Sequence, residues 1–302
     1  MEALTPPAGI SRTRAWILAA RPKTLTAAAA PVVVGTGVAA LHGGAAALPA
    51  VAALAGALLI QVATNLANDY YDFVRGGDNA ERVGPVRVTQ AGLIPPETVK
   101  RRMVAVLAAA LLVGVYLAWV GGWPIVVIGL ASLACAVLYT GGPFPLAYHG
   151  LGDVFVFVFF GLVAVSGTVY VQTLAWPPDA FLAGAAMGAL TTAILVVNNL
   201  RDLPTDARAG KRTLAVRLGP GGTKTEYVVL LLAAGVAPVV GVWRFAWPAA
   251  SLAALLAVPL GAPAAWRVLT FRDPRELLPA LGQTSRVVAL YGVLLALGLA
   301  LG

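Results

Sequence analysis

Two long stretches without a charged residue constrain this chain more than any other feature of its sequence. No Asp, Glu, Lys or Arg occurs from Thr24 to Asn68 or from Met103 to Gly152. A membrane-spanning helix needs about 20 consecutive apolar residues, so each stretch is long enough for two crossings. Charged residues make up 11% of the chain, whereas they make up about 25% of a soluble domain. We therefore predict an all-α, polytopic membrane protein.

Turn residues divide the apolar sequence into nine candidate spans. The breaks include residues 42–44 (HGG), 121–124 (GGWP) and 176–178 (WPP), because Gly and Pro interrupt helices. The nine spans lie near residues 24–41, 48–68, 103–120, 124–140, 153–173, 179–199, 227–243, 246–266 and 284–301.

Basic residues predict the orientation of these spans. Twenty of the 21 Lys and Arg residues fall on one side of the membrane in this scheme, and only Arg244 falls on the other. Because Lys and Arg are enriched in cytoplasmic loops, the N-terminus is predicted to be cytoplasmic and the C-terminus outside, in a cell (inner) membrane. The net charge of +8 is explained in the same way, without a nucleic-acid partner. We expect one domain over residues 1–302, with two cytoplasmic loops near 69–102 and 200–226.

Two clusters of Asn and Asp lie at corresponding places, where the second and sixth spans end. The first covers residues 68–72 (NDYYD) and is followed by Asp78; the second covers residues 198–202 (NNLRD) and is followed by Asp206. The first and last residues of each cluster are four positions apart, and this spacing places side chains on one face of a helix. The repetition suggests two related halves, a common plan in membrane proteins.

Carboxylates at membrane depth are energetically costly and usually functional. Several carboxylates on one helical face repel each other and need a cation, and oxygen ligands suit a hard ion such as Mg²⁺. The only cysteine, Cys135, lies in an apolar run, which excludes a thiolate metal site and an intrachain disulfide. Basic residues near both clusters indicate a phosphate-rich substrate. These residues are Arg75, Arg82, Arg87, Arg201, Lys211 and Arg212.

Two other classes of membrane protein also use paired polar clusters. A secondary transporter would use them as an ion site, but such sites usually lie near the membrane midplane in broken helices. A phosphotransferase acting on CDP-alcohols would use Asp residues and Mg²⁺, but its Asp-Gly…Ala-Arg spacing does not occur here. Clusters at the ends of helices therefore favour an enzyme that binds a phosphorylated substrate.

Residues 68–72 and 198–206 (NNLRDLPTD) resemble the two signature motifs of the UbiA-type membrane prenyltransferases. Five further segments resemble the 1,4-dihydroxy-2-naphthoate polyprenyltransferases (the MenA type) within that family, and the resemblance runs from about residue 15 to 220. These segments are 21–25 (RPKTL), 82–92 (RVGPVRVTQAG), 139–143 (YTGGP), 150–153 (GLGD) and 209–219 (AGKRTLAVRLG).

This resemblance implies nine transmembrane helices around a central cavity that opens to membrane lipid. It also implies a reaction, the transfer of a polyprenyl group from a polyprenyl diphosphate to 1,4-dihydroxy-2-naphthoate. CO₂ and diphosphate are lost, and the product is demethylmenaquinone. Another aromatic acceptor, such as 4-hydroxybenzoate or homogentisate, is the alternative. Residues 142–144 (GPF) stand near the position where 4-hydroxybenzoate-type members carry a basic pair, which favours the naphthoate.

The resemblance also gives each candidate residue a role. The Mg²⁺ ligands are expected among Asn68, Asp69, Asp72, Asp78, Asn198, Asp202 and Asp206. The catalytic residues are expected to be Asp72, Asp202 and Asp206, with Tyr139 shielding an allylic cation and Asp153 acting as a base or orienting the acceptor. The substrate-binding residues are expected to be Arg21, Lys23, Arg82, Arg87, Arg201 and Lys211, with Arg21 or Lys23 at the acceptor carboxylate. Some relatives carry a third Asp at the position of Gly76. In this chain the Asp lies two positions later, at Asp78, so its role as a ligand requires a shifted position.

Overall fold

A computed structural model describes residues 10–76 and 83–302 of the chain, and within these ranges it contains helices and no β-strand. We number the helices α1 to α10 in chain order. They are Arg12–Ala20, Pro22–Leu41, Ala47–Val74, Pro96–Gly121, Trp123–Leu138, Gly152–Thr173, Pro178–Arg208, Leu214–Phe245, Ala249–Thr270 and Pro274–Leu301. The predicted all-α fold is confirmed.

Eight of the described helices are long and apolar enough to cross a membrane, namely α2–α4 and α6–α10. They coincide with eight of the nine predicted spans. The remaining span, near 124–140, corresponds to the shorter apolar helix α5. The chain is therefore an integral membrane protein, and the count of nine crossings stays a prediction.

The two polar loops are much shorter than predicted. Helix α3 continues to Val74 and α4 begins at Pro96, whereas α7 continues to Arg208 and α8 begins at Leu214. The predicted bounds 69–102 and 200–226 were wrong, because charged residues continue the helices on both sides of each loop. Both Asn/Asp clusters therefore lie on helices, as their four-residue spacing requires.

Helix α7 runs through the centre of the bundle and contacts α2, α6, α8 and α10. Small residues allow this close packing, because apolar burial alone does not drive helices together in lipid. A Cβ added to Gly161 of α6 would lie only 2.4 Å from the Cα of Gly188 on α7. Around this contact α6 widens into a π-helical turn over Phe157–Val163.

The end of α7 opposite the second cluster is fixed by a buried carboxylate. Asp179 is 4% exposed and accepts a hydrogen bond from Trp247 Nε1 at 2.9 Å. His42 Nε2 at the end of α2 lies 3.0 Å from the same carboxylate. These contacts tie α2, α7 and the α8–α9 connection together, which sets where the other end of α7 lies.

Candidate active site

The two Asn/Asp clusters face a common polar cavity of about 290 Å³. Helices α3 and α7 bring them together, and the segments that follow each helix close the cavity. Eleven of the predicted site residues line it. They are Arg21, Lys23, Asn68, Asp72, Arg87, Tyr139, Asp153, Asn198, Arg201, Asp202 and Lys211.

A second, apolar cavity of about 430 Å³ adjoins the polar one. The two cavities share part of their walls, including Arg21, Asn68, Tyr139 and Asn198. Most of the second cavity is lined by aliphatic and aromatic side chains of α2–α7, such as Phe159. The molecule therefore joins a charged chamber directly to a space suited to a hydrocarbon.

Asp72 of the first cluster is 4% exposed and is held from two sides. Arg87 donates a hydrogen bond to Oδ2 at 3.0 Å, and the hydroxyl of Tyr148 donates to Oδ1 at 3.0 Å. Asn68, one turn earlier, accepts a hydrogen bond from the Thr140 hydroxyl at 2.9 Å. Both side chains are thus oriented by the segments that surround the chamber.

The second cluster is organised around a buried arginine. Arg201 is 2% exposed and donates two hydrogen bonds to Asp202, at 2.8 and 2.7 Å. Its Nη1 is buried and has no hydrogen-bond partner among the described residues. One turn later, Asp206 lies 3.8 Å from the ammonium of Lys211. A buried donor without a partner is costly, so Nη1 is suited to meet an anionic ligand.

Asp69 has a different environment from the other carboxylates. It is 1% exposed, does not line either cavity, and accepts hydrogen bonds from the backbone N–H groups of Val88 and Thr89 at 3.0 and 2.9 Å. The Thr89 hydroxyl also donates to this carboxylate. This geometry favours a role in holding the loop between α3 and α4 over the metal-ligand role that the sequence suggested.

Arg21 lies at a sharp corner between α1 and α2, with a left-handed backbone (φ 50°). Such a conformation costs about 1–3 kcal/mol in a non-glycine residue and persists only where its surroundings enforce it. Asn65 enforces it by donating hydrogen bonds to Ala20 O at 2.9 Å and to Thr24 Oγ1 at 3.0 Å. Gln61 also donates to Thr24 Oγ1, at 3.1 Å. The network places the Arg21 side chain where the two cavities meet.

Asp153 and Tyr139 complete the chamber beside α6. Asp153 is 5% exposed, and its Oδ2 has no hydrogen-bond partner in the described part of the chain. A carboxylate oxygen in that state is suited to accept a proton or a hydrogen bond from a ligand. Tyr139, at the end of α5, lines both cavities.

Two predicted site residues lie outside the described ranges, and two residues of the site had no role predicted from the sequence. Asp78 and Arg82 lie outside the described residues, so their predicted roles stay predictions. Tyr148 and Asn65 contribute to the site but were not assigned roles from the sequence. Asn65 could have been found by its position one turn before Asp69 on the same polar end of α3, whereas nothing in the local sequence singles out Tyr148.

The oxygen donors of the chamber suit a magnesium ion. Asn68, Asp72, Asn198 and Asp202 all line it, whereas nowhere in the described ranges do three Asp, Glu, His or Cys side chains form a ready-made metal site. Mg²⁺ is usually held by one or two carboxylates together with substrate phosphates. The residues present therefore fit a metal that binds together with a phosphorylated ligand.

Comparisons with known proteins identify the family of this chain. The model of the UbiA prenyltransferase family matches residues 28–285. The 1,4-dihydroxy-2-naphthoate octaprenyltransferase of Mycobacterium tuberculosis (strain H37Rv) is 43% identical over 287 residues, which cover 95% of this chain and 97% of that protein. The protein of the same name from Escherichia coli K12 is 37% identical over 303 residues, covering 96% of each chain.

Solved structures share the fold at low sequence identity. A UbiA homolog from Aeropyrum pernix K1 has a TM-score of 0.69 at 17% identity and covers 89% of this chain and 95% of its own. A UbiA homolog from Archaeoglobus fulgidus bound to GPP and Mg²⁺ has a TM-score of 0.62 at 16% identity, covering 92% of this chain and 98% of its own. The family match spans most of the chain, and the two relatives are similar along almost their whole length, so this chain belongs to the UbiA prenyltransferase family.

Proposed function

We propose that this protein transfers a polyprenyl group from a polyprenyl diphosphate to 1,4-dihydroxy-2-naphthoate, in the biosynthesis of menaquinone. The observation that carries the proposal is the junction of a polar chamber, lined by both Asn/Asp clusters, with an apolar cavity of about 430 Å³. A prenyl diphosphate has the same two parts, a highly charged head and a hydrocarbon tail. The acceptor follows from the two bacterial relatives, whose names specify it.

The diphosphate is bound by the cations and donors of the chamber. Arg87, Arg201 and Lys211 line it, and the buried Nη1 of Arg201 offers a donor that no described protein group occupies. Asn68, Asp72, Asn198 and Asp202 are the proposed Mg²⁺ ligands, with Asp206 nearby on the last turns of α7. Bound Mg²⁺ stabilises the negative charge that builds up on the departing diphosphate.

The prenyl tail lies in the apolar cavity, which shares Asn68 and Asn198 with the wall of the chamber. When the allylic carbon–oxygen bond breaks, the diphosphate leaves with the electron pair and the allylic carbon becomes cationic. The apolar walls keep water away from that carbon, which water would otherwise quench. Tyr139 lines both cavities, which supports the proposal that its ring stabilises the cation by cation–π attraction.

The acceptor enters the chamber beside α1 and α2. Arg21 and Lys23 both line the chamber, and we assign them to the acceptor carboxylate. Asp153, with its unpartnered oxygen, orients an acceptor hydroxyl or takes its proton. The ring then attacks the allylic carbon, a carbon–carbon bond forms, and CO₂ leaves so that its bonding electrons restore the aromatic ring.

We also propose an orientation in the membrane. Twenty of the 21 Lys and Arg residues favour a cytoplasmic N-terminus and cytoplasmic loops after α3 and α7, with the C-terminus outside. The chamber then opens on the side where water-soluble phosphorylated precursors are made. A reporter fused after Gly302 that is active only outside the cytoplasm tests this orientation.

One assay separates the candidate functions. Purified protein in detergent is incubated with Mg²⁺ and a polyprenyl diphosphate, and with 1,4-dihydroxy-2-naphthoate, 4-hydroxybenzoate or homogentisate in parallel. We expect a prenylated, decarboxylated product from the naphthoate, at a rate at least about tenfold above the other two acceptors. Faster prenylation of another acceptor would reassign the substrate. Absence of any prenylated product would refute the proposed prenyltransferase activity and favour the secondary transporter.

A further inference from the structure

Tyr148 contacts the first Asn/Asp cluster directly and the second through Lys211, although its own segment belongs to neither. It lies in a 3₁₀ turn, Leu146–His149, between α5 and α6. Its hydroxyl donates to Oδ1 of Asp72 at 3.0 Å, while Arg87 occupies Oδ2 of the same carboxylate. Tyr148 therefore fixes the direction in which Asp72 points.

The ring of Tyr148 contacts two cations that come from different halves of the molecule. The Lys211 ammonium, in the segment after α7, lies 5.3 Å from the ring centroid. The Arg75 guanidinium, directly after α3, lies 5.6 Å from it. Both distances are within about 6 Å, the range of cation–π attraction. Lys211 is also 3.8 Å from Asp206, so one tyrosine contacts the first cluster directly and the second through Lys211.

The backbone around Tyr148 is held independently of its side chain. Ala147 N donates to Tyr139 O at 2.9 Å, and Arg212 N donates to Tyr148 O at 3.0 Å. Arg217 donates to His149 O at 2.8 Å. Because α5 and the start of α8 fix the turn, replacing the side chain is expected to leave the turn in place.

We propose that Tyr148 is a positioning residue that couples the two clusters during binding of the Mg²⁺–diphosphate. Its hydroxyl orients Asp72 towards the metal site, and its ring helps Asp206 to hold Lys211 at the chamber until a phosphate oxygen replaces the ring beside the ammonium. This inference rests on the proposed function and adds a residue that none of the sequence motifs of the family assigned. The two contacts are separable, since Tyr148→Phe removes only the hydroxyl and Tyr148→Leu removes the ring as well.

The first measurement is the initial rate as a function of Mg²⁺ concentration, with both substrates saturating. Loss of a group that orients a metal ligand typically weakens metal binding by about 10–100-fold. For Tyr148→Phe we expect the half-saturating Mg²⁺ concentration to rise about tenfold, with the maximal rate within about twofold of wild type. For Tyr148→Leu we expect, in addition, a several-fold higher KM for the prenyl diphosphate. Tyr170→Phe is the matched control, because Tyr170 stacks on Trp176 instead (centroids 4.4 Å apart).

The second measurement does not require turnover. Inorganic diphosphate with Mg²⁺ is expected to raise the thermal midpoint of the detergent-solubilised protein, and Tyr148→Phe should need about tenfold more Mg²⁺ for the same rise. The double variant that combines Tyr148→Phe with Asp72→Asn tests whether Tyr148 acts through Asp72, because coupled residues give non-additive effects. We expect Tyr148→Phe to add nothing in the Asp72→Asn background.

Three results would overturn the inference. They are a wild-type Mg²⁺ dependence in Tyr148→Phe, an equal loss of rate at every Mg²⁺ concentration, and a full additional effect of Tyr148→Phe in the Asp72→Asn background. The proposed function fails differently, if the wild-type protein forms no prenylated product. The thermal measurement needs no acceptor, so it tests Tyr148 in that case too.

Discussion

Asp69 and Asp72 are three residues apart in one motif, yet they have different partners in the structure. The substitution Asp69→Asn tests whether they also have different roles. The Asp69 carboxylate accepts the backbone N–H groups of Val88 and Thr89, at 3.0 and 2.9 Å. In the Asp69→Asn variant the amide oxygen of the new side chain can keep one of these bonds. The amide nitrogen then faces the other N–H group, donor against donor, in a site where Asp69 is 1% exposed.

The size of the effect follows from these contacts. A hydrogen bond to a charged group is worth about 1.5–3 kcal/mol, and a buried donor left without a partner costs about 1–3 kcal/mol. The two figures partly overlap, because both describe the loss of one N–H···O bond. We therefore expect the free-energy cost of opening the loop between α3 and α4 to fall by about 2–4 kcal/mol. Since about 1.4 kcal/mol corresponds to a factor of ten, amide exchange in the loop should accelerate by about 30- to 1,000-fold.

Hydrogen–deuterium exchange of the detergent-solubilised protein measures this directly, in peptides that cover residues 83–94. Asp179→Asn is the matched control, because it neutralises another buried carboxylate at the far end of α7, whose partners are His42 and Trp247 and not the described part of the loop. It should leave exchange in this peptide within about threefold of wild type. An Asp69→Asn protein with unchanged loop exchange but a raised Mg²⁺ requirement would refute the reasoning and restore Asp69 as a metal ligand.

Three other predictions follow from the site and the packing. Asp72→Ala or Asp202→Ala should lower the rate of prenyl transfer by at least about 100-fold, in protein with a normal size-exclusion profile. Chelation of divalent cations should lower the rate in the same way and reversibly. Full activity in either variant would contradict the metal assignment. Lys23→Ala should raise the KM for the acceptor by about tenfold or more, because it removes one charge-assisted hydrogen bond. The KM for the prenyl diphosphate should stay within about twofold of wild type. Equal changes in both KM values would place Lys23 at the diphosphate. Gly161→Ala should lower the thermal midpoint, since its Cβ would lie 2.4 Å from the α7 backbone and overpacking costs about 1–3 kcal/mol. Gly167→Ala, on the same helix and with open space among the described residues, is its control, and an equal effect of both would contradict the packing argument.

The spans and the two clusters could be predicted from sequence because both are local patterns. An apolar run marks a crossing wherever it lies, and four-residue spacing marks one face of a helix. The loop lengths were wrong because α3 and α7 remain helical beyond the end of the apolar sequence, through several charged residues. Val74 and Arg208, where these helices end, follow polar residues that look like loop sequence.

Local sequence patterns could not predict which carboxylate of a cluster faces the chamber and which one binds a loop. Asp69 and Asp72 lie on neighbouring faces of α3, and only the packing of the loop that carries Val88 decides which of them faces the chamber. Tyr148 was missed for a related reason. Its contacts are with Asp72, 76 positions away, and with Lys211, so they exist only once α3, α5 and α7 are assembled.

The ion pairs of the chamber explain how this protein can keep carboxylates so close to the membrane interior. Asp72 pairs with Arg87 at 3.0 Å, Asp202 with Arg201 at 2.7 Å, and Asp206 lies 3.8 Å from Lys211. Isolated charges at such depth are costly, and a cation beside each carboxylate offsets that cost.

The same pairs have a consequence for binding. If Asp72 and Asp202 hold Mg²⁺, Arg87 and Arg201 would lose part of their carboxylate contacts and could then bind oxygens of the diphosphate. Metal and diphosphate should therefore strengthen each other's binding by the same factor, as linkage requires. Isothermal titration with inorganic diphosphate at low and high Mg²⁺ measures that factor. Two independent affinities would show that the carboxylates and the cations do not exchange partners.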